Sequence, residues 1–434
     1  MQQTVRSPDS LSGEISVPGD KSISHRALIL NAVAQGQAVV TGLSDGEDVM
    51  STMVCLRAMG VEIEPGSQPG MFYVHGAGRD LDEPEGILDA GNSGTSMRLL
   101  SGLLAGQSFT SVLTGDDSLR SRPMGRVVQP LLQMGATVMG RNNDTLAPLT
   151  IRGGSLKGIE YDLPVASAQV KSCIMLAGLS AQGDTILHQP ALSRDHTERM
   201  VSAMGGSVLA DGLTLVVQPA QLTAVDIEVP GDISSAAFWL VAGLCHPQSN
   251  VLVKSVGLNP SRTGIIDALF AMGAGEGLKL LDQRTEGGEP VADLLVTSTS
   301  LSGIEVGGDM IPRILDEIPV LAVAACFAEG TTVIRDAKEL QAKESDRIET
   351  TVSELTRMGA RIEAREDGMV IHGTGGLQGA VCDSHRDHRL AMALGVAGLV
   401  SQGETAINGA EDASISYPTF WEHLGLLSGN GVRA

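Results

Sequence analysis

Aromatic residues make up only 3% of this 434-residue chain, and its 30 basic residues are outnumbered by 51 acidic ones. With so few rings, the core must be filled by aliphatic and small side chains, packed at the density of any protein interior. The basic shortage leaves a formal net charge of −21. That balance excludes the spread cationic surface needed for a nucleic-acid or anionic-membrane partner. No apolar run reaches the roughly 18 to 20 residues of a membrane span. The opening "MQQTVRSPDS" lacks the basic-then-apolar layout of a signal peptide, so a cytoplasmic location is expected. Five scattered cysteines, Cys55, Cys173, Cys245, Cys326 and Cys382, form no CxxC pair. They read as small buried hydrophobes, and neither a metal nor a cofactor is expected.

A chain this long exceeds what one core usually supports, and 42% hydrophobic residues can fill two. One segment occurs twice: "VPGDKSISHRA" from Val17 and "VPGDISSAA" from Val229. Only the first copy carries Lys21, His25 and Arg26. A finer repeat underlies this one. Helical stretches end in a residue plus glycine at Gly60, Gly135, Gly205, Gly273, Gly359 and, more weakly, Gly425. Six units of about seventy residues therefore fill the chain. Glycine there accepts the left-handed turn that closes a helix.

Each unit also holds a second helix that is apolar nearly all round, such as "ALILNAVAQG", "MRLLSGLLAG" or "IPVLAVAACFAEG". Such a helix is buried on every side, whereas the glycine-terminated ones, such as "ESDRIETTVSELTRMG", are half exposed. Short β-branched runs, "AVVTGL", "FTSVLTG", "TLVVQPA", "NVLVKSV" and "TTVIRDA", are read as strands following the apolar helices.

Polar or charged residues open all six apolar helices. Asp232 and Ser234 read as ordinary caps. Capping does not explain Lys21, Arg98, Lys171 or Arg389, because a cation in the first turn opposes the helix dipole. Something negative must compensate each. Helix starts attract anions, so the pattern points to an anionic small molecule bound in a local basic pocket. Four amphipathic helices begin beside Arg122, Arg194, Arg262 and the pair Lys343 and Arg347; of these, Arg262 reads as structural.

The ordered motifs "PGDKSISHRAL", "GNSGTSMRL", "SRPMG", "SAQVKS", "SRDHTE", "DEIPVLAVAA", "KESDR" and "DHRLAM" resemble those of the 5-enolpyruvylshikimate-3-phosphate synthases along essentially the whole chain. "SAQVKS", "SRDHTE" and "KESDR" are similar to the family's divergent class. The resemblance implies an α/β fold, a two-domain inside-out α/β barrel of six βαβαββ repeats, three per domain. Sheets would lie outside and buried helices inside, with the active site in the interdomain cleft. Residues 1–18 with 231–434 would form one domain and 19–230 the other, so both "VPGD" copies would mark crossings. The implied activity is transfer of the enolpyruvyl group of phosphoenolpyruvate to the 5-hydroxyl of shikimate-3-phosphate. Small-molecule substrates, no cofactor, and a monomer are expected.

Carried over residue by residue, Lys21, Asn92, Gly94, Thr95, Arg122, Gln169, Arg347 and Arg389 resemble the phosphoenolpyruvate pocket. Lys21, Ser22, Arg26, Ser167, Ala168, Gln169, Ser193, Arg194, Asp316 and Lys343 resemble the shikimate-3-phosphate pocket. Asp316 and Glu344 resemble the acid/base pair, with Lys21 and His388 close to the chemistry. His25 and Arg98 are given supporting roles. Gly94 leaves room for glyphosate, which in this family occupies the phosphoenolpyruvate site. Ala168, Glu339 and Ile415 depart from residues common in the family. A UDP-amino-sugar enolpyruvyl transferase would carry a cysteine just before Arg122-Pro123, where this chain has "TGDDSLRS". An RNA-terminal phosphate cyclase would need a basic surface. A non-catalytic repeat scaffold would have no use for cations at buried helix starts.

Overall fold

The structure is a computed structural model describing residues 1–286 and 288–429. It divides into two compact units, Met1–Pro18 with Pro230–Ala434, and Gly19–Val229. Pro230, assigned from the sequence to the other side of this boundary, packs its ring against Gly257 and so joins the discontinuous unit.

Among the described residues, twelve helices of eight or more residues fall into two alternating kinds. α1 (Lys21–Ala32), α3 (Gly94–Ala105), α5 (Ala168–Leu179), α7 (Ile233–Cys245), α9 (Ile318–Phe327) and α11 (His388–Val400) are buried almost throughout. α2 (Glu47–Ala58), α4 (Gly125–Gln133), α6 (His196–Ala203), α8 (Gly264–Ala271), α10 (Arg347–Arg357) and α12 (Phe420–Leu427) bury only part of their surface. The first kind lacks a polar stripe and so packs inward on all sides.

Among the described residues, five sheets share one order of four strands. In one, Leu88–Asp89 runs parallel to Thr110–Thr114, which is antiparallel to Leu146–Arg152, itself antiparallel to Thr137–Gly140. This is strand, buried helix, strand, amphipathic helix and hairpin, one βαβαββ unit. Two sheets borrow their first strand. Gln35–Thr41 takes Ile227–Glu228 as its parallel neighbour, and Ser249–Gly257 takes Leu11–Ser16. Each borrowed strand directly precedes a "VPGD", so each copy joins a strand of one unit to a buried helix of the next. Gly19 is required there, since an added Cβ would fall 1.8 Å from the Gly42 carbonyl oxygen.

Among the described residues the last repeat has no hairpin of its own. Its sheet is completed by the N-terminal strand Gln2–Arg6, antiparallel to Glu404–Asn408, which in turn runs parallel to Val381–Asp383. Two local expectations change with this detail in view. Gly60, Gly135, Gly205, Gly273 and Gly359 have the left-handed φ of a helix stop, but Gly425 lies inside α12, and Gly429 makes that turn instead. "TLVVQPA" supplies Thr214–Val217, the last strand of its repeat; the strand after α5 is Thr185–His188. Strand-like composition marks a strand without giving its place in the unit.

The scarce rings gather in the discontinuous unit. Trp239 stacks on Phe420 and donates its indole N–H to the Tyr417 hydroxyl at 2.9 Å. Elsewhere close approach replaces rings. A Cβ on Gly102 of α3 would lie 2.1 Å from the Cys173 carbonyl oxygen of α5. The free cysteines fit the same picture, with burial pushing the thiols of Cys55, Cys326 and Cys382 up to about 12. Cys245 alone is only partly buried.

Gly102→Ala tests the packing directly. Helix propensity favours alanine by about 0.5–1 kcal/mol, but overpacking against a backbone carbonyl costs about 1–3 kcal/mol. The clash wins, and urea unfolding followed by far-UV circular dichroism should show a lower midpoint. Both tryptophans, Trp239 and Trp421, lie in the other unit, so fluorescence should miss this change. An unaltered dichroism midpoint would contradict the close-packing account.

Candidate active site

In the Gly19–Val229 unit the first turns of α1, α3 and α5 carry most of the candidate residues. Asp20 caps α1 by accepting from the Ile23 N–H at 2.9 Å, which leaves Lys21 and Ser22 at the helix entrance. The Lys21 ammonium lies 3.0 Å from an Asp48 carboxylate oxygen at the start of α2. Arg26, one turn on, is buried. It donates to Thr197 at 2.6 Å, to Ser172 at 2.7 Å and to the Ser22 carbonyl at 2.9 Å. Arg194, just ahead of α6, donates to the Ser22 hydroxyl at 3.3 Å.

Ser93 caps α3 by accepting from the Ser96 N–H. Ahead of that cap, Asn92 bridges two charged groups, accepting from Arg122 at 2.7 Å and donating to Asp116 at 2.6 Å. Thr95 accepts from the Gln169 amide at 2.9 Å, and Arg98 donates to the Gln169 side-chain oxygen at 2.5 Å. Arg98 also reaches the Gly94 and Pro123 carbonyls, so it ties the Gly94 turn to the Arg122 loop. Ser167 caps α5, placing Ala168 in its first position. Ser193 donates to Gln189 at 3.0 Å. The Lys171 ammonium, 1% exposed, meets Glu198 at 2.5 Å, Gln189 at 3.2 Å and the Ser193 carbonyl at 3.3 Å. Burial lowers its pKa, with Glu198 opposing that shift.

The discontinuous unit holds the remaining candidates, gathered around Arg347. This guanidinium is 2% exposed and faces three carboxylates: Asp387 at 2.8 Å, Glu344 at 2.6 Å and Asp316 at 3.5 Å. The three carboxylates hold it protonated, well above the ordinary arginine value, against the opposing effect of burial. Lys343 adds a second cation 3.2 Å from Asp316. Asp387 caps α11 by accepting from the Arg389 N–H, and so sets His388 and Arg389 in the first turn. Arg389 is buried, and its Nη1 meets no partner among the described residues.

Ser234 is not the ordinary cap read from the sequence. Asp232 caps α7, accepting from the Ser234 N–H at 2.8 Å. The Ser234 hydroxyl instead accepts from Arg262 at 2.6 Å and donates to Glu317. Arg262, 3% exposed, also meets Asp232 at 2.9 Å, which makes it part of an internal ionic hub.

Sequence reading missed the partners Asp48, Asp116, Glu198 and Thr197. An acid near a helix start is ordinary dipole chemistry, so nothing local separates Asp48 or Glu198 from a bland surface residue. Asp387 had a signal in "DHRLAM" but was given no role.

Two units of βαβαββ repeats, with cations set at buried helix starts, define a fold of the enolpyruvyl-transferase kind. A solved enolpyruvyl transferase, NikO from Streptomyces tendae, shares it at a TM-score of 0.81 over 100% of this chain and 98% of that one, at 19% identity. The profile of EPSP synthase (3-phosphoshikimate 1-carboxyvinyltransferase) matches residues 5–424, and the chain belongs to that family. A 3-phosphoshikimate 1-carboxyvinyltransferase of Herpetosiphon aurantiacus is 54% identical over 431 residues, covering 98% of this chain and 99% of the relative. The solved EPSP synthase of Acinetobacter baumannii superposes with a TM-score of 0.88 at 44% identity, covering 100% of this chain and 99% of that one.

The ionic hub makes a prediction about stability alone. Ser234→Ala leaves Arg262 and Glu317 each short of a buried hydrogen bond, a loss of about 1–3 kcal/mol. Tryptophan fluorescence during urea unfolding should register it, because both rings lie in this unit. Michaelis constants should stay within about twofold of the parent, as for a change away from the reacting groups.

Proposed function

We propose that the protein transfers the enolpyruvyl group of phosphoenolpyruvate to the 5-hydroxyl of shikimate-3-phosphate, releasing phosphate through a tetrahedral intermediate. The observation that carries this reading is the buried Arg389 in the first turn of α11, with a guanidinium nitrogen that no described residue satisfies. A cation placed there opposes the helix dipole and is stabilised by an anionic ligand. Family membership supplies the identity of that ligand. The reaction belongs to the shikimate pathway, and the reading places the enzyme in the cytoplasm as a monomer.

In this reading Lys21, Asn92, Gly94, Thr95, Arg122, Gln169, Arg347 and Arg389 hold phosphoenolpyruvate. Guanidinium forks suit both its carboxylate and its phosphate. Ser22, Arg26, Ser167, Ala168, Gln169, Ser193, Arg194, Asp316 and Lys343, again with Lys21, hold shikimate-3-phosphate. The 5-hydroxyl oxygen attacks C2 and gives its proton to a base, while an acid delivers a proton to the methylene carbon. Loss of a proton from the new methyl group then expels phosphate and restores the double bond. Asp316, as a carboxylate steadied by Lys343 and Arg347, suits the base. Glu344 is assigned to proton transfer at the methylene carbon, with Lys21 and His388 beside the reacting atoms.

The deciding assay is phosphate release from phosphoenolpyruvate with shikimate-3-phosphate, against UDP-N-acetylglucosamine as control. Release only with the control would replace this reading by the sugar-nucleotide one. Lys21→Ala and Arg122→Ala should each lower kcat/KM by about 10²- to 10⁴-fold, the loss of several kcal/mol of transition-state stabilisation. Parental turnover in either variant would remove that residue from the site.

Gly94→Ala addresses inhibitor discrimination. The new methyl carbon would stand 2.8 Å from Arg98 Nη1 and 3.5 Å from Arg122 Nη1, crowding the floor of the pocket. The wild type should be sensitive to glyphosate, and the variant should raise its inhibition constant much more than the KM of phosphoenolpyruvate. Equal rises would show that Gly94 does not discriminate the longer inhibitor.

A further inference from the structure

His25 is wholly buried in α1, one turn beyond Lys21. Its Nδ1 lies 2.7 Å from the Thr52 hydroxyl of α2, which lies 2.6 Å from the Ser96 hydroxyl of α3. Ser96 in turn donates to the Asp48 carbonyl at 3.2 Å. These contacts have a fixed direction. A carbonyl only accepts, and each hydroxyl has one hydrogen. The Ser96 hydrogen is spent on Asp48, so the Thr52 hydrogen goes to Ser96, and Thr52 must accept from an Nδ1–H of His25.

The other ring nitrogen gives an independent check. Nε2 meets no partner among the described residues. With the proton on Nδ1, Nε2 is a bare lone pair; the opposite tautomer would bury an N–H with nothing to accept it, at a cost that native interiors rarely bear. Burial, then Lys21 and Arg26, hold the ring's pKa well below the ordinary histidine value, while Asp20 pulls the other way. The ring is therefore an uncharged donor.

We propose that His25 is a positioning residue for the phosphoenolpyruvate end of the site, its Nδ1–H fixing the Lys21 turn of α1 against the Gly94–Thr95 turn of α3 through Thr52 and Ser96. The substrate half of this proposal rests on the functional reading above; the hydrogen-bond chain does not. The chain ends on Asp48, whose carboxylate holds the Lys21 ammonium, and it passes through the residue that follows Thr95. A ring that merely filled space would need no donor at Nδ1.

The test separates donor from bulk. An asparagine amide nitrogen falls where Nδ1 lies, a glutamine amide reaches toward Nε2, and phenylalanine keeps the ring without the donor. His25→Asn should keep the KM of phosphoenolpyruvate within about threefold of the parent. His25→Gln, His25→Phe and Thr52→Val should each raise it by about tenfold, with kcat and the KM of shikimate-3-phosphate changed far less. Equal behaviour of His25→Asn and His25→Phe overturns the proposal, as does a parallel rise in both Michaelis constants. On the wild type, labelled with ¹⁵N-histidine, two-bond ¹H–¹⁵N correlations should show an uncharged ring protonated at Nδ1, identified by its absence in whichever of the His25 variants folds. A ring protonated at Nε2 overturns the chain whatever the kinetics, and this reading stands even if a variant fails to fold. Should the wild type release no phosphate from the substrate pair, the functional reading and the substrate half of the proposal fall together. The tautomer then decides the hydrogen-bond chain alone.

Discussion

A cation in the first turn of a buried helix is opposed twice, by the positive end of the helix dipole and by the loss of water around it. This protein places several there, and much of its polar interior consists of the groups that answer them. Asp48 answers Lys21 and Glu198 answers Lys171, while three carboxylates answer Arg347 at the start of the half-exposed α10. Arg262, ahead of α8, is answered within its own unit by Asp232, Ser234 and Glu317. Arg389 differs in having no carboxylate paired with it among the described residues, and its Nη1 meets no partner there. On the proposed function, that is the difference between an internal strut and a group left for a ligand.

The same helix starts can be crowded with charge only because the helices themselves are narrow. Glycine and alanine let α3 and α5 approach until a single methyl would collide with a backbone carbonyl. In the discontinuous unit, Gly395 of α11 sits against Phe420 and Trp421, so the rings fill the space that small residues leave. A low aromatic content is thus a consequence of helix packing, with the rings collected where α12 closes the last repeat.

Much of this was legible in the sequence because it repeats. Five of the six glycine stops have the left-handed turn, and the six all-apolar segments are the six buried helices. The cations at their starts were visible because they violate a local rule. What stayed hidden obeyed local rules. Asp48 and Glu198 look like ordinary acids near helix starts, and Ser234 looks like a cap. Thr52, in the middle of an amphipathic helix, carries no mark of its contact with His25. Gly425 failed for the opposite reason: it matches the repeat in spacing but lies inside α12, which continues for two more residues. Partners that are distant in the chain leave no periodic trace.

The duplicated "VPGD" shows how far such a trace reaches. Both copies keep Asp as a helix cap and the turn that carries the chain from a strand of one unit into a helix of the other. Beyond the cap, residues 212 apart diverge: Lys21 corresponds to Ile233, His25 to Ala237 and Arg26 to Phe238. Phe238 packs edge-on against Phe420 at 5.8 Å, so the second copy uses for core what the first uses for charge. The serine survives in both, and for different reasons. Ser22 accepts from Arg194 at the entrance of α1, whereas Ser234 gives its hydrogen to Glu317 while accepting from Arg262. A buried hydroxyl between a guanidinium and a carboxylate cannot be dropped without stranding both. The serine is therefore held by the polar interior of its own unit, and its retention in the second copy needs no substrate to explain it.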